Sequence, residues 1–248
     1  MGIEKSKAIV LKNQVFRETS YLVNFYTRDF GKINGIIKGV RGTTNKTNNN
    51  LEPFSISEIV FYKRKKGTLY TVSQCDLLKF YKNIRREYKK IVYAAYFVDL
   101  LSAVTTYEDK NEDLYDLAVS TLDILDQQKD PEAIKSIFEI KTLILSGFKP
   151  RIDACINCGR EFLKEAKFST RYGGLLCKNC FSEDRKAIDI YNGTLATMLH
   201  IEKANLDNVW RLNLTSEVKR QLNEILDNFI KYHIDTKIKS KFYADFLV

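Results

Sequence analysis

Cys155-Ile156-Asn157-Cys158 is followed, after eighteen residues, by Cys177-Lys178-Asn179-Cys180. Two Cys-x-x-Cys pairs at this separation can place four thiolates around one tetrahedral Zn²⁺, because each short knuckle turns both sulfurs to the same side. Gly159 suits the positive φ of a knuckle turn, and Tyr172-Gly173-Gly174-Leu175 supplies a hairpin turn into the second pair. With Cys at all four positions no site is left for a reactive water, so the expected metal is one structural Zn²⁺ in a zinc ribbon or finger. Two disulfides, two redox pairs or four unrelated core thiols are the competing readings. Against them, the chain shows no secretory signal, and neither pair sits in a thioredoxin-like βαβ pattern.

Other reactive patterns are weaker. The tip Lys63-Arg64-Lys65-Lys66-Gly67 carries four cations on one turn, between Phe61-Tyr62 and Leu69-Tyr70. Clustered cations beside aromatic faces are what a single-strand nucleic-acid edge needs, although a solvated hairpin over an aromatic core has the same composition. Lys38-Gly39-Val40-Arg41-Gly42 adds two cations beside glycines that let a phosphate approach the backbone. His200-Ile201-Glu202 imitates half of a zinc-deaminase signature, but no cysteine pair follows it. Asp109, Glu112, Asp113 and Asp116 would suit a metal-dependent nuclease, or simply the positive end of a helix. Phosphate-loop, nucleophile-elbow and dinucleotide fingerprints are absent, and His occurs twice, so a non-enzymatic protein is expected.

These groups need elements to hold them. Within the first eighty residues, Lys7–Lys12, Thr19–Thr27, Ile33–Arg41, Ser55–Tyr62 and Thr68–Cys75 are β-branched and aromatic runs separated by turn signals. Five short strands without a helical pattern between them predict a Greek-key OB-fold barrel, with an SH3-like barrel as the alternative. Tyr21, Val23 and Phe25 fall on one face of the second strand, and Cys75 is expected in the core. From Tyr81 the period becomes helical. Ile84, Tyr88, Ile91, Ala95, Val98 and Leu101 predict a buried stripe on a helix to Val104, and Leu114–Leu125 a second helix. A third is capped by Asp130 with Pro131 at its first position and ends before Gly147 and Pro150. Beyond the cysteines, helices are expected over Thr194–Ala204 and Ser216–Tyr232, the latter capped by Thr215. The chain is thus read as α+β: a five-stranded OB-fold barrel, then a helical domain interrupted by a zinc-finger module.

At 248 residues, 44% hydrophobic and 29% charged, the chain can bury a sizeable core. It shows no run long enough to span a bilayer and no signal peptide. Its net charge of +9 is unevenly placed: 14 Lys and Arg face 6 Asp and Glu in residues 1–80, against 26 and 25 in the rest. That concentration points to a polyanionic partner for the barrel. An RNA-binding or ribosome-associated accessory protein would share this composition.

Several motifs in order resemble one family. Ala8-Ile9-Val10-Leu11, Tyr26-Thr27-Arg28-Asp29-Phe30-Gly31-Lys32, Lys38-Gly39-Val40-Arg41, Leu51-Glu52-Pro53-Phe54, Gly147-Phe148-Lys149-Pro150 and the cysteine pairs together resemble RecO, the bacterial DNA-repair and recombination-mediator family. The resemblance implies an OB-fold domain (1–80), a helical domain in two parts (81–150 and 185–248) and a zinc finger (151–184). It implies binding of single- and double-stranded DNA, annealing of complementary strands, contact with RecR and with the C-terminal tail of the single-stranded DNA-binding protein, and indirect help to RecA. A cytoplasmic, nucleoid-associated place in a bacterium goes with it. By position, the family's DNA contacts fall on Lys38 and Arg41; Lys63, Arg64, Lys65 and Lys66 are assigned on charge alone. Lys141, Lys149 and Arg151, near helix ends, are the cations considered for the acidic tail.

Overall fold

The structure, a computed structural model, describes residues 2–38, 50–63, 69–127, 130–161 and 165–234. The chain divides into two compact units, the first running to Lys129 and the second from Asp130 to Lys237. That division falls inside the 81–150 segment expected as the first part of the helical domain.

In the first unit β1 (Gly2–Phe16), β2 (Ser20–Thr27), β3 (Gly31–Ile37), β4 (Ile56–Lys63) and β5 (Leu69–Lys79) close a barrel in the order β1-β2-β3-β5-β4. β3 and β5 run parallel, and all other neighbours are antiparallel. This is the expected OB-type barrel. Its first strand serves two neighbours: Gly2–Ile9 pairs with β4, and Ala8–Phe16 pairs with β2. A register shift between Val10 and Lys12 marks the bend that lets one strand do both. Val23 and Phe25 point into the barrel with Ala8, Val10, Ile33, Ile59, Phe61, Tyr70 and Val72, while Tyr21 and Cys75 pack at its edge. Burial pushes the Cys75 thiol up to about 11, as suits an inert core residue.

Helices α1 (Lys82–Arg86), α2 (Tyr88–Val104) and α3 (Glu112–Gln127) belong to the same unit, and α2 packs on β1. The single helix expected from Ile84 to Val104 is broken at Glu87, whose backbone is extended. The predicted stripe is corrected with it: Tyr88 is 65% exposed, whereas Val92–Ala94, Tyr96–Val98 and Leu100–Leu101 are all buried. A helix enclosed on most sides has no single apolar face for a 3.6-residue period to reveal.

The Tyr26–Lys32 motif is a clasp between barrel and helices. The Tyr26 hydroxyl donates to the Asn111 carbonyl, and Arg28 pairs with Glu112 and Asp116. Lys32 turns inward, donating to the carbonyls of Ser102 and Thr105 at 2.7 and 2.6 Å near the end of α2, with its ammonium 4.9 Å from the Tyr107 ring. Burial lowers its pKa. Gly31 sits at φ +64°, and a Cβ there would lie 2.1 Å from the Asp109 carbonyl oxygen. Gly31→Ala therefore meets backbone, not a yielding side chain, and a loss on the order of 3 kcal/mol is expected in urea unfolding. An unchanged midpoint would show that the clasp contributes nothing.

In the second unit α4 (Pro131–Leu145), α5 (Asn192–Lys203) and α7 (Ser216–His233) pack on one another, α6 (Leu206–Val209) joins α5 to α7 along the chain, and Phe229 of α7 meets Phe168 of the cysteine module. The Asp130 side chain accepts from Ala133 N and the Thr215 hydroxyl from Val218 N, so both expected caps are present. Ala133–Leu143 is buried throughout. Inside that run the Lys135 ammonium lies 3.2 Å from Glu139 and 3.2 Å from Asp227 of α7, and donates to the Asn223 side chain at 3.1 Å.

Candidate metal centre and nucleic-acid interface

The cysteine module is built from a hairpin, β6 (Ala166–Ser169) and β7 (Gly174–Cys177), with the two-residue strand β8 (Ile188–Asp189) on the other edge of β6. Its turns are those the glycines forecast: Gly159 and Gly173 both adopt φ +73°. Gly159 N donates to the Cys155 carbonyl at 2.9 Å, closing the first knuckle, and Ile156 N donates to the Leu175 carbonyl, holding that knuckle against β7. The second knuckle starts at the end of β7 and continues into a 3₁₀ turn, Lys178–Glu183.

These turns bring Cys155, Cys158, Cys177 and Cys180 together, with all four Sγ atoms within 4.8 Å of one another. The Cys158 and Cys177 sulfurs are 3.6 Å apart, close to the edge of a tetrahedron drawn around a metal with thiolate bonds of about 2.3 Å. Cys177 N donates to Cys155 Sγ and the Asn157 amide to Cys180 Sγ, both at 3.4 Å. Donors aimed at sulfur are the outer contacts that orient thiolate ligands. Burial works against ionising Cys155, but the N–H groups of Cys158, Cys177 and Asn157 outweigh it and bring the thiol down to about 6. At Cys180 the Asn157 amide favours the thiolate, yet desolvation and the three neighbouring sulfurs push the pKa up to about 12. Charge on Cys155 is thus supported by its donors, whereas charge on Cys180, set among the other sulfurs, calls for a cation beside it. The residues fit a metal ion. Among the described residues this quartet is the one such grouping, and the buried cluster of the module consists of Leu176 and three of these cysteines.

Of the four carboxylates that would suit a nuclease, two are tied up in ion pairs. Glu112 and Asp116 pair with Arg28, and Glu112 and Asp113 sit in the first turn of α3. His200 is exposed on α5 and takes no part in the quartet.

Of the six residues assigned to nucleic acid, Lys38 and Lys63 are described, and both are exposed, at the ends of β3 and β4. The register sets Gly35 opposite Tyr70 and Tyr62 opposite Thr71, so these two strand ends flank β5 on its two sides. The Lys63 ammonium lies 5.8 Å from the centre of the Phe30 ring. Arg41, Arg64, Lys65 and Lys66 lie outside the described residues.

The aromatic half of that reading is corrected at Phe61 and Tyr70, while Tyr62 is half-buried. Phe61 is 1% exposed and Tyr70 2%; Phe61 meets the half-buried Phe30 edge-on and Tyr70 at a tilt, and neither Phe61 nor Tyr70 offers a face to a base. The Tyr70 hydroxyl is further held by the Glu108 carboxylate. Alternation put these rings beside the cations, but on the opposite, inward side of the strands. Lys141 is corrected too: it is buried, donating to the carbonyls of Glu202 and Ala204 at 3.1 and 2.5 Å. Lys149 pairs with Glu202 at 2.6 Å.

Sequence reasoning missed Lys32, Arg85 and the Lys135 network. Arg85 is packed between the Phe54 and Phe80 rings, 4.3 and 4.2 Å away, and donates to the carbonyls of Phe80 and Pro53 and to the Ser55 hydroxyl. This explains the Leu51–Phe54 motif as packing. Only Lys135 left a readable signal, a Lys and Glu four apart within an apolar helix.

Comparison with known proteins agrees along the whole chain. The family model described as Recombination protein O N terminal matches residues 1–81, and the one described as Recombination protein O C terminal matches residues 85–242. The chain is 31% identical over 232 residues to a protein of Alkaliphilus metalliredigens named DNA repair protein RecO, covering 93% of this chain and 94% of that one. It is 29% identical over 243 residues to the protein of that name from a Thermoanaerobacter species, covering 97% and 96%. Caldicellulosiruptor bescii has another, 30% identical over 239 residues and covering 96% of each.

Proposed function

The chain belongs to the RecO family, and from that membership we propose that it is a DNA repair and recombination mediator that acts by binding, not by catalysis. The observation that carries this reading is the match of both family models, in order, to a chain that folds as an OB-type barrel with helices and a four-cysteine module. The protein binds single- and double-stranded DNA, anneals complementary strands, and helps RecA onto strands coated with single-stranded DNA-binding protein, in partnership with RecR and the tail of that binding protein. It does so in the bacterial cytoplasm, at the nucleoid. The barrel is the first DNA surface, with Lys38, Arg41, Lys63, Arg64, Lys65 and Lys66 as its phosphate contacts. The four cysteines hold one structural Zn²⁺, because an all-thiolate set suits that ion and leaves no open position.

The test is annealing of complementary oligonucleotides precoated with single-stranded DNA-binding protein. Acceleration is expected; an RNA-binding accessory protein would not produce it. Strand cleavage in Mg²⁺ or Mn²⁺ would overturn the non-enzymatic reading. Changing the six barrel cations to Ala should weaken binding to oligothymidylate and reduce the slope of log affinity against log salt by about 4, at roughly 0.7 per neutralised phosphate contact. An unchanged slope would remove the DNA contacts from the barrel.

A further inference from the structure

A second cationic surface lies in the other unit, unconnected with the barrel motifs. A cleft of about 870 Å³ opens between the 3₁₀ turn that carries Cys180, the β6–β7 turn and the last turns of α7. Its walls include Arg171, Arg185, Lys186 and Lys231, all exposed, and none of the four pairs with a described carboxylate. Two carboxylates share the lining. Asp184 is occupied, accepting from the Ser169 hydroxyl at 2.6 Å and from Lys186 N at 2.9 Å, which leaves Glu183 as the acid facing four cations.

Beside the cations stands a braced ring. Tyr232 is 59% exposed but packs edge-on against His233, with ring centres 4.9 Å apart. His233 in turn stacks on Phe229 at 4.3 Å, and its Nε2 lies 2.7 Å from the Thr170 carbonyl oxygen. Tyr172, 42% exposed, sits under the Arg171 guanidinium at 5.5 Å. An exposed ring held by its neighbours stacks on a ligand with little further loss of side-chain freedom.

We propose that this cleft binds single-stranded nucleic acid, the four cations taking successive phosphates and Tyr232 stacking on a base. The inference rests on the DNA-binding function proposed above and adds a contact on the metal-bearing unit to the one on the barrel. The other polyanion that fits four cations is an acidic peptide with an apolar end. Among the described residues Ile188 is the one aliphatic side chain in the lining, so the described walls give such an end little to bury against, and the exposed rings favour bases. The 3₁₀ turn links the cleft to the cysteines, since Cys180 is a member of the quartet while Ser182 and Glu183 form the wall.

The full-length protein is titrated with fluorescein-labelled oligothymidylate at several salt concentrations, beside the combined Arg171→Ala, Arg185→Ala, Lys186→Ala, Lys231→Ala variant. Roughly a ten-fold loss of affinity and a salt slope smaller by about 2–3 are expected, from up to four phosphates at about 0.7 each. Wild-type binding with affinity and slope unchanged in the variant overturns the cleft and leaves the barrel reading standing. Absence of binding by the wild type overturns both. Should the variant fail to fold, ultraviolet cross-linking of the wild type to the same strand decides: adducts in the peptides spanning 170–186 and 228–234 support the cleft, and adducts confined to residues 1–80 refute it. Displacement of the strand from those peptides by an acidic peptide ending in Phe, with four-Ala loss of peptide binding but not of strand binding, assigns the cleft to the peptide instead.

Discussion

Replacing Cys155 and Cys158 by Ser should abolish metal binding and unfold the cysteine module, and this is the largest loss expected from any pair of substitutions in the chain. The reason is that the cluster around the sulfurs is small: its buried members are Leu176, Cys155, Cys177 and Cys180, with Ile156, Phe181 and Ala187 packed at its margin, while Leu175 and Phe168, the latter against Phe229, are buried outside it. Structural zinc sites contribute on the order of 10 kcal/mol to folding in small fingers, comparable to the roughly 5–15 kcal/mol that holds a whole domain. Metal analysis of the reduced wild-type protein should give close to one zinc per chain, and the variant close to none. Limited proteolysis should then cut the variant between residues 151 and 184. Negligible metal in fresh wild-type protein would sink the zinc reading; a full complement of zinc with an intact module in the variant would sink the assignment of the ligands.

Lys135→Met should destabilise the second unit by about 3–5 kcal/mol, because it removes the ammonium 3.2 Å from the fully buried Glu139 carboxylate. Desolvation works against the charged lysine, but the carboxylates of Glu139 and Asp227 outweigh it and hold its pKa above the usual value. The ion pair therefore persists through the neutral range, and no loss of stability with pH is expected from Lys135 there. Combining Lys135→Met with Glu139→Leu should recover most of the loss, since apolar side chains of similar volume are tolerated where buried pairs are removed together, and Asp227 retains access to water. Denaturant unfolding of the two variants separates the cases. Equal losses in the single and double variants would mean that the shape of the site, not its charge, is what matters.

What was legible in the sequence was local. Knuckle spacing, Gly159 and Gly173, the caps at Asp130 and Thr215, and the alternation of Tyr21, Val23 and Phe25 each depend on residues a few positions apart. What was not legible is set by distant partners. Arg28 meets Asp116 across 88 residues, and Lys135 meets Asp227 across 92. Nothing near Glu87 marks the break between α1 and α2, where neither Gly nor Pro stands. At the basic tip, alternation was visible but its sense was not: the same period-two pattern serves rings that face a ligand and rings, such as Phe61 and Tyr70, that fill a barrel. The motifs that carried the family resemblance proved to be largely joints. Tyr26–Lys32 and Leu51–Phe54 hold the barrel to its helices and turns, so shared motifs here report on assembly more than on ligand contacts.

The double duty of β1 bears on how the chain is made. Residues Gly2–Ile9 leave the ribosome well before their partner, Ile56–Lys63, which follows about fifty positions later and is itself secured only when β5 arrives. At translation rates of about 5–20 residues per second, that edge waits several seconds with its hydrogen-bonding groups open. Closure then requires long-range pairings that are slow compared with helix formation. The Gly2–Lys7 half of the strand alternates exposed Lys5 and Lys7 with Ser6, charges that discourage pairing with a second nascent chain while the proper neighbour is still being synthesised.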